Sequence, residues 1–255
     1  MNLVLLTEGT GQGVHGRRTN VSRLYDLLVE GKNQRVNLEA GPGTRPFRHF
    51  GGAFFGADAM SIVNHHQNWF LNHAPRTDEL KVFLFGFSRG ALIMRVFAEW
   101  LCQRGFAVEY MGLWDTVDST VGIRGEDYVS LPTNVKFARH AVARDEQRKF
   151  FGYLPLREVE GGEKVEELVF PGSHSDVGGL YDDNHAIADV TLDWILEPAV
   201  ASGLKTESRR TTAEDGQRQY VLHDSLKEPT NGWGMLGPVR RLLDGVKRHA
   251  ICDMI

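Results

Sequence analysis

Residues 81–91, KVFLFGFSRGA, constrain the fold of this chain more than any other stretch. An apolar, β-prone run at 82–85 leads into Gly86-Phe87-Ser88-Arg89-Gly90, and residues 91–100 continue as a helix. A strand, G-x-S-x-G and a helix in that order hold a serine out on a tight turn at the end of a strand. Glycine on both sides of the serine removes the Cβ groups that such a turn would bring into collision. The N–H of Arg89 then faces the place where an oxyanion would form on a carbonyl attacked by Ser88. An ordinary tight turn is the competing explanation. The buried-type strand before the motif and the helix after it favour a nucleophile.

The rest of the chain supplies a sheet for that turn. Residues 2–7, NLVLLT, read as a strand buried on both faces. A glycine-rich loop follows at 8–16. Thr19 or Asn20 can cap a helix over 21–30, which Gly31 stops. Residues 34–38 read as a strand, 41–56 as a Gly-, Pro- and aromatic-rich loop, and 57–73 as a helix. After the serine's helix, strands are expected at 108–114, 135–142 and 166–170, and a helix at 187–200. Residues 205–219 read as a polar, mobile surface excursion. Pro238 can open a last helix with Val239, Leu242, Leu243 and Val246 on one face and Arg240, Arg241, Lys247 and Arg248 on the other. Strands alternating with helices imply a mainly parallel central sheet with helices on both faces. No internal repeat and no linker breaks the pattern. The expectation is one α/β domain over 1–255, with 203–255 as a peripheral extension.

Composition narrows the function classes. The 255 residues are 42% hydrophobic and 24% charged, with a net charge of −4. That balance suits a soluble globular protein and gives no basic surface for a nucleic-acid partner. Cys102 and Cys252 stand far apart and are expected to be free thiols. The apolar run at 3–6 is too short for a signal peptide, and no stretch reaches the ~20 apolar residues of a membrane span. The expected location is cytoplasmic, with export by a machine that reads no cleavable signal left open.

In open α/β sheets the reactive groups collect beyond the carboxyl ends of the strands. Ser88, Asp115 and His174 all stand at such ends, in the chain order of α/β-hydrolases. A serine hydroxyl needs an imidazole to take its proton and return it to the leaving group. The imidazole needs a carboxylate to fix its tautomer and stabilise its cation. Asp145 is the main rival acid and Asp118 a third, although residues 144–148 (RDEQR) look like a surface charge network. His174, in a loop among Gly172, Gly178 and Gly179, is the expected base, and His223 is its rival. His65, His66 and His73 lack HExxH spacing and read as surface or packing residues.

Two stretches admit other chemistry. Gly11-Gln12-Gly13-Val14-His15-Gly16 matches G-x-G-x-x-G after a strand, with Glu39 about where a ribose-binding acid would stand. A nucleotide-binding Rossmann-type protein is therefore the alternative. Against it, the helix cap comes only at Thr19 or Asn20, too late to place a phosphate on the helix N-terminus. In a hydrolase the same loop would supply a second oxyanion N–H, from Gly9 or Thr10. His174, Asp176, Asp182, Asp183 and His185 could also ligate a metal, but no spacing motif supports that, and neither metal nor cofactor is expected.

Together these stretches resemble a known family. They are the opening strand with Glu8-Gly9-Thr10-Gly11, Thr19-Asn20-Val21, GFSRGA at 86–91, GLWDTV at 112–117, Arg139-His140-Ala141 with Asp145, Glu146 and Arg148, and HSDVGG at 174–179. The resemblance is to the α/β-hydrolase-like domain-of-unknown-function family that contains the class-1 type VI secretion phospholipase effectors, and it covers roughly residues 1–200. Two positions depart from that pattern: Glu8 stands where the family has aspartate, and Leu180 where it has a third glycine. The resemblance implies a serine esterase or phospholipase with Ser88, Asp115 and His174 at the matching positions. The expected partner is an ester or lipid substrate. Phe47, Phe50, Phe54 and Phe55 could form an apolar flap over an acyl chain, and the basic last helix could make transient contact with a membrane surface. A non-catalytic interaction module on the same scaffold is the remaining alternative.

Overall fold

The computed structural model describes residues 1–13, 18–44, 52–75, 79–117, 123–149, 151–158, 164–207, 219–227, 243 and 246–253. Its centre is a seven-stranded sheet of β1 (Asn2–Thr7), β2 (Gln34–Glu39), β3 (Lys81–Phe87), β4 (Tyr110–Trp114), β5 (Ala138–Ala143), β6 (Val165–Phe170) and β7 (Lys247–Arg248). The spatial order is β2-β1-β3-β4-β5-β6-β7. Every pairing between neighbouring strands is parallel. The carboxyl ends therefore share one edge of the sheet, as the α/β-hydrolase-like expectation requires.

Alternation along the central strands divides the core in two. Leu3, Leu5, Val82, Leu84, Met111 and Leu113 face α2 (Gly52–His73) and α3 (Arg89–Cys102). Val4, Leu6, Phe83, Phe85, Tyr110 and Trp114 face the other way, toward α1 (Asn20–Leu27) and α5 (Ala186–Ala201). Strands that bury both faces must be apolar throughout, which explains the unbroken runs NLVLLT and VFLFGF.

Several elements differ from expectation. The first helix ends at Leu27, and Leu28 bridges Thr206 instead. α2 begins at Gly52, inside the expected loop, despite Gly52 and Gly56 in its opening turns. Phe54 and Phe55 thus lie on a helix, while Phe47 and Phe50 of the flap idea lie outside the described residues. The fourth strand begins at Tyr110 and the fifth spans 138–143, with Val108 and Val135 forming an isolated bridge before them. The expected surface excursion starts tied down: the Val29 N–H donates to the Lys205 carbonyl at 3.1 Å and the Glu207 N–H to the Leu27 carbonyl at 2.7 Å. Residues 208–218 lie outside the described set.

The amphipathic last helix is corrected at its end, the part that lies among the described residues. Val239 and Leu242 lie outside the described residues, and Lys247 and Arg248 form the edge strand β7. The ladder that β6 offers at Leu168 and Val169 outweighs a helical pattern of alternating apolar and basic residues. Both cysteines are free thiols.

Candidate active site

Ser88 follows β3 directly and has φ 60° and ψ −128°, a conformation that L-residues seldom adopt. Its N–H donates to the Trp114 carbonyl at 2.9 Å, and its own carbonyl accepts the Ala91 N–H at 3.1 Å. The flanking glycines are sterically required. A Cβ on Gly86 would lie 2.6 Å from the Gly90 carbonyl oxygen, and one on Gly90 would lie 2.3 Å from the carbonyl oxygen of Glu8. α3 thus leaves the turn pressed against the end of β1.

The loop after β1 passes over the same turn. A Cβ on Gly9 would meet the Phe87 ring at 2.7 Å and Ser88 Cβ at 3.4 Å, so the Gly9 backbone lies against the serine. Arg89 Nη1 donates to Thr10 Oγ1 at 2.7 Å. The loop is fixed from behind by the Gly11 N–H to the Pro42 carbonyl (2.9 Å) and the Gly41 N–H to the Gln12 carbonyl (3.0 Å). Arg89, Gly9 and Thr10 therefore gather around Ser88.

Asp115 and His174 are brought together. His174 Nδ1 lies 2.6 Å from Asp115 Oδ2, and both side chains are buried. Asp115 Oδ1 accepts the Ala143 N–H at 2.9 Å, and the residue has φ 40°. In the tautomer in which Nδ1 carries the ring proton, Asp115 Oδ2 accepts it and Nε2 is left as the acceptor. Burial pushes the His174 pKa below its ordinary value; Asp115 and Glu146 oppose the shift and Arg148 adds to it. Phe87 stacks on the imidazole at 4.5 Å between centroids, and Phe151 meets it edge-on at 4.9 Å. The ring is thereby clamped beside the turn that carries Ser88. His174 is not in a loop, as expected, but opens the short helix α4 (His174–Gly178).

The rival residues take other partners. Asp145 accepts from Arg144 Nε and from the Gly172 N–H at 2.7 Å, which pins the turn leading into α4. Asp118 and Gly16 lie outside the described residues. His223 contacts Asp176 and Asp183 instead of Asp115. Of the suggested metal ligands, His174 pairs with Asp115, and Asp176 and Asp183 with His223; among the described residues no three such groups converge. Glu39 stands beside His65 at 3.6 Å. The α1 N-terminus, where a nucleotide phosphate would have to sit, is capped by Thr19, whose hydroxyl donates to Glu8 Oε2 at 2.6 Å.

The sequence misled at residues 144–148. Glu146 and Arg148 are not a surface network; they form a buried ion pair at 2.8 Å directly behind His174. Glu146 Oε2 also accepts the His174 N–H at 3.2 Å, and Arg148 lies 3.8 Å over the Phe151 ring. Burial raises the Glu146 pKa, but Arg148 and His174 outweigh it, so the carboxyl stays below its ordinary range.

A second buried cluster supports Asp115 from the other side. The Thr116 N–H donates to His140 Nε2 at 3.0 Å, and His140 Nδ1 faces Glu167 Oε2 at 2.7 Å. Tyr153 also donates to Glu167, and Arg95 Nη2 reaches Thr116 Oγ1 at 3.0 Å. Position signalled the first cluster, since Glu146 and Arg148 follow the carboxyl end of β5; His140, Glu167 and Arg95 stand inside β5, β6 and α3 and carried no such sign.

Comparison with known proteins agrees with the fold. Among solved structures, the chain superposes on an uncharacterized protein from Pseudomonas aeruginosa with a TM-score of 0.62 at 17% identity, covering 81% of this chain and 46% of that one. It superposes on the Tle1 effector bound to the VgrG spike of the Type 6 secretion system with a TM-score of 0.50 at 18% identity, covering 71% and 51%. A proposed cell surface hydrolase from Lactobacillus plantarum WCFS1 gives a TM-score of 0.50 at 10% identity over 86% and 98%. The chain spans about half the length of the first two. No curated protein matches it. The family described as "T6SS, Phospholipase effector Tle1-like, catalytic domain" matches residues 1–107 and 99–198. With well over half of its length so matched, the chain belongs to that family.

Proposed function

We propose that this chain is a serine hydrolase that cleaves carboxylic esters of lipids, phospholipid acyl esters foremost, through an acyl-enzyme. The observation that carries the reading is the 2.6 Å contact between His174 Nδ1 and Asp115 Oδ2, beside a serine held at φ 60° on a strand-to-helix turn. Ser88 Oγ attacks the ester carbonyl carbon while His174 Nε2 takes its proton. Asp115 keeps the Nδ1–H tautomer and stabilises the imidazolium. The tetrahedral oxyanion is met by the N–H groups of Arg89 and of Gly9 or Thr10. Each such donor in a water-excluded site is worth roughly 3 kcal/mol to the transition state. Collapse breaks the ester C–O bond, and His174 returns the proton to the leaving alcohol. Water activated by the same imidazole then attacks the acyl-serine and regenerates Ser88.

Family membership supports the lipid class of substrate. The whole chain acts as one catalytic domain. No helix among the described residues is long and apolar enough to cross a membrane.

A fluorophosphonate probe tests the nucleophile. Wild-type protein takes up one label per chain and loses turnover of phospholipid and p-nitrophenyl esters, whereas Ser88→Ala takes up none and is inactive. Labelling of Ser88→Ala at the wild-type rate would sink the assignment.

A further inference from the structure

The family match stops at residue 198, yet a later segment, residues 219–227, is seated against the candidate site. Ser225 is buried, and its hydroxyl donates to Glu146 Oε1 at 3.0 Å. His223 Nδ1 lies 2.6 Å from Asp176 Oδ1, and the His223 N–H donates to Asp176 Oδ2 at 3.2 Å. On its other edge, His223 Nε2 faces Asp183 Oδ2 at 3.2 Å. The imidazole also stacks on Tyr181 with centroids 3.6 Å apart. At the start of the segment, Asn184 Nδ2 donates to the Gln219 carbonyl at 2.9 Å.

These contacts converge on His174. α4 spans five residues, too few to hold its own shape. Its first N–H groups have no intrahelical acceptor and need outside ones. Glu146 Oε2 supplies one by accepting the His174 N–H, and Asp176 Oδ2 accepts the Ser173 N–H at 2.8 Å. A carboxylate serves as a fixed acceptor only if its own rotation is stopped. Arg148 holds Glu146 at both oxygens and Ser225 adds a hydroxyl at Oε1, while His223 Nδ1 takes Asp176 Oδ1, the oxygen that Ser173 leaves open. Two short routes, Ser225–Glu146–His174 and His223–Asp176–α4, thus run from the segment to the helix that carries the imidazole.

We propose that residues 219–227 form a strap that holds the His174 imidazole in its working position, with Ser225 and His223 as positioning residues. The proposal rests on the reading of His174 as the general base. Catalytic geometry tolerates little drift; a displacement of about 1 Å can lower a rate by on the order of 10²-fold. The strap is therefore expected to act on turnover and to leave KM near its wild-type value.

The test compares full-length variants on a p-nitrophenyl ester, with circular dichroism confirming the fold at the assay temperature. Ser225→Ala and His223→Ala are each expected to lose roughly tenfold or more in kcat, with KM within about twofold of wild type. Ser225→Thr keeps a hydroxyl for Glu146, and His223→Asn keeps an amide donor for Asp176, so both are expected to recover most of the loss. The rate of fluorophosphonate labelling should fall and recover in parallel. A rise in KM alone, or a loss of kcat that threonine and asparagine both fail to restore, would overturn the strap. So would wild-type turnover in both alanine variants while His174→Ala is inactive, and the base assignment would then stand. Wild-type turnover in His174→Ala would overturn the base assignment and the strap with it.

Discussion

Asp115 shows what a single residue carries here. Its φ of 40° costs on the order of 1–3 kcal/mol, and the Ala143 N–H, the Ala141 carbonyl and His174 hold it in place. Asp115→Asn could still accept from Ala143. It would, however, turn an N–H toward His174 Nδ1 and force the ring proton onto Nε2, the wrong tautomer for a base. We expect kcat to fall about 10⁴-fold with little change in melting temperature, measured by ester turnover and a thermal scan. As the proposed base, His174 is expected to set the acid side of the pH profile. Its folded pKa lies below the ordinary 6.5 because it is buried, and only the neutral ring can accept a proton. kcat/KM should therefore rise with pH through a midpoint below 6.5 and be flat above it. A midpoint above 7 would show that another group governs activity.

At the scale of elements, the strand-turn-helix unit depends on how closely α3 approaches β1. A Cβ on Gly90 would lie 2.3 Å and 2.4 Å from the carbonyl oxygens of Glu8 and Thr7, and backbone atoms cannot rotate aside. Gly90→Ala should cost at least the ~1–3 kcal/mol typical of overpacking, read as a lower urea midpoint, and should also reduce labelling of Ser88. This unit was legible because strand, glycine, serine and helix occupy consecutive positions. The strand end bearing Asp115 was legible for a related reason, since a run buried on both faces stops at its first polar residue, whereas β6 is half-buried and His174 was picked out by the glycines around it. Choosing between Asp115 and Asp145 needed the third dimension, since both follow a strand and only one lies beside the imidazole. The burial of Glu146 and Arg148 was hidden because alternating charges look alike on a surface and in a dry ion pair. The strap was hidden because its contacts join residues 79 and 47 apart in sequence, Ser225 to Glu146 and His223 to Asp176. Lys247 and Arg248 misled because helical periodicity says nothing of a neighbouring strand with a free ladder.

Across the whole molecule, two buried ionisable groups tie stability to pH in opposite senses. Glu8 is fully buried, and burial, opposed by its bond with Thr19, pushes its pKa up from 4.5 to about 7. The folded state thus binds this proton more tightly than the unfolded chain. The associated stability is complete below pH 4.5 and is lost as pH rises through 7, a change of about 3 kcal/mol at 1.4 kcal/mol per unit. Glu8→Gln should therefore gain urea resistance relative to wild type at pH 8 and not at pH 4.5. An equal difference at both pH values would rule Glu8 out as the cause. His66 acts the other way. Burial lowers its pKa from 6.5 to about 3, and it stays neutral between Thr7 Oγ1 at 2.8 Å and Asn37 Nδ2 at 3.0 Å. Its contribution is present above pH 6.5 and is lost as pH falls toward 3.

The outermost strands have a different consequence. On one side β7 is two residues long, and both Lys247 and Arg248 are exposed and positively charged. On the other, β2 carries Arg35, Asn37 and Glu39, and the Val36 N–H is occupied by Glu30 Oε1 at 3.3 Å. A parallel sheet with apolar, uncapped flanks would recruit extended segments from other copies and grow into aggregates. Here a brief basic fringe and a plugged amide leave an incoming chain little to pair with, which guards the sheet against edge-to-edge growth.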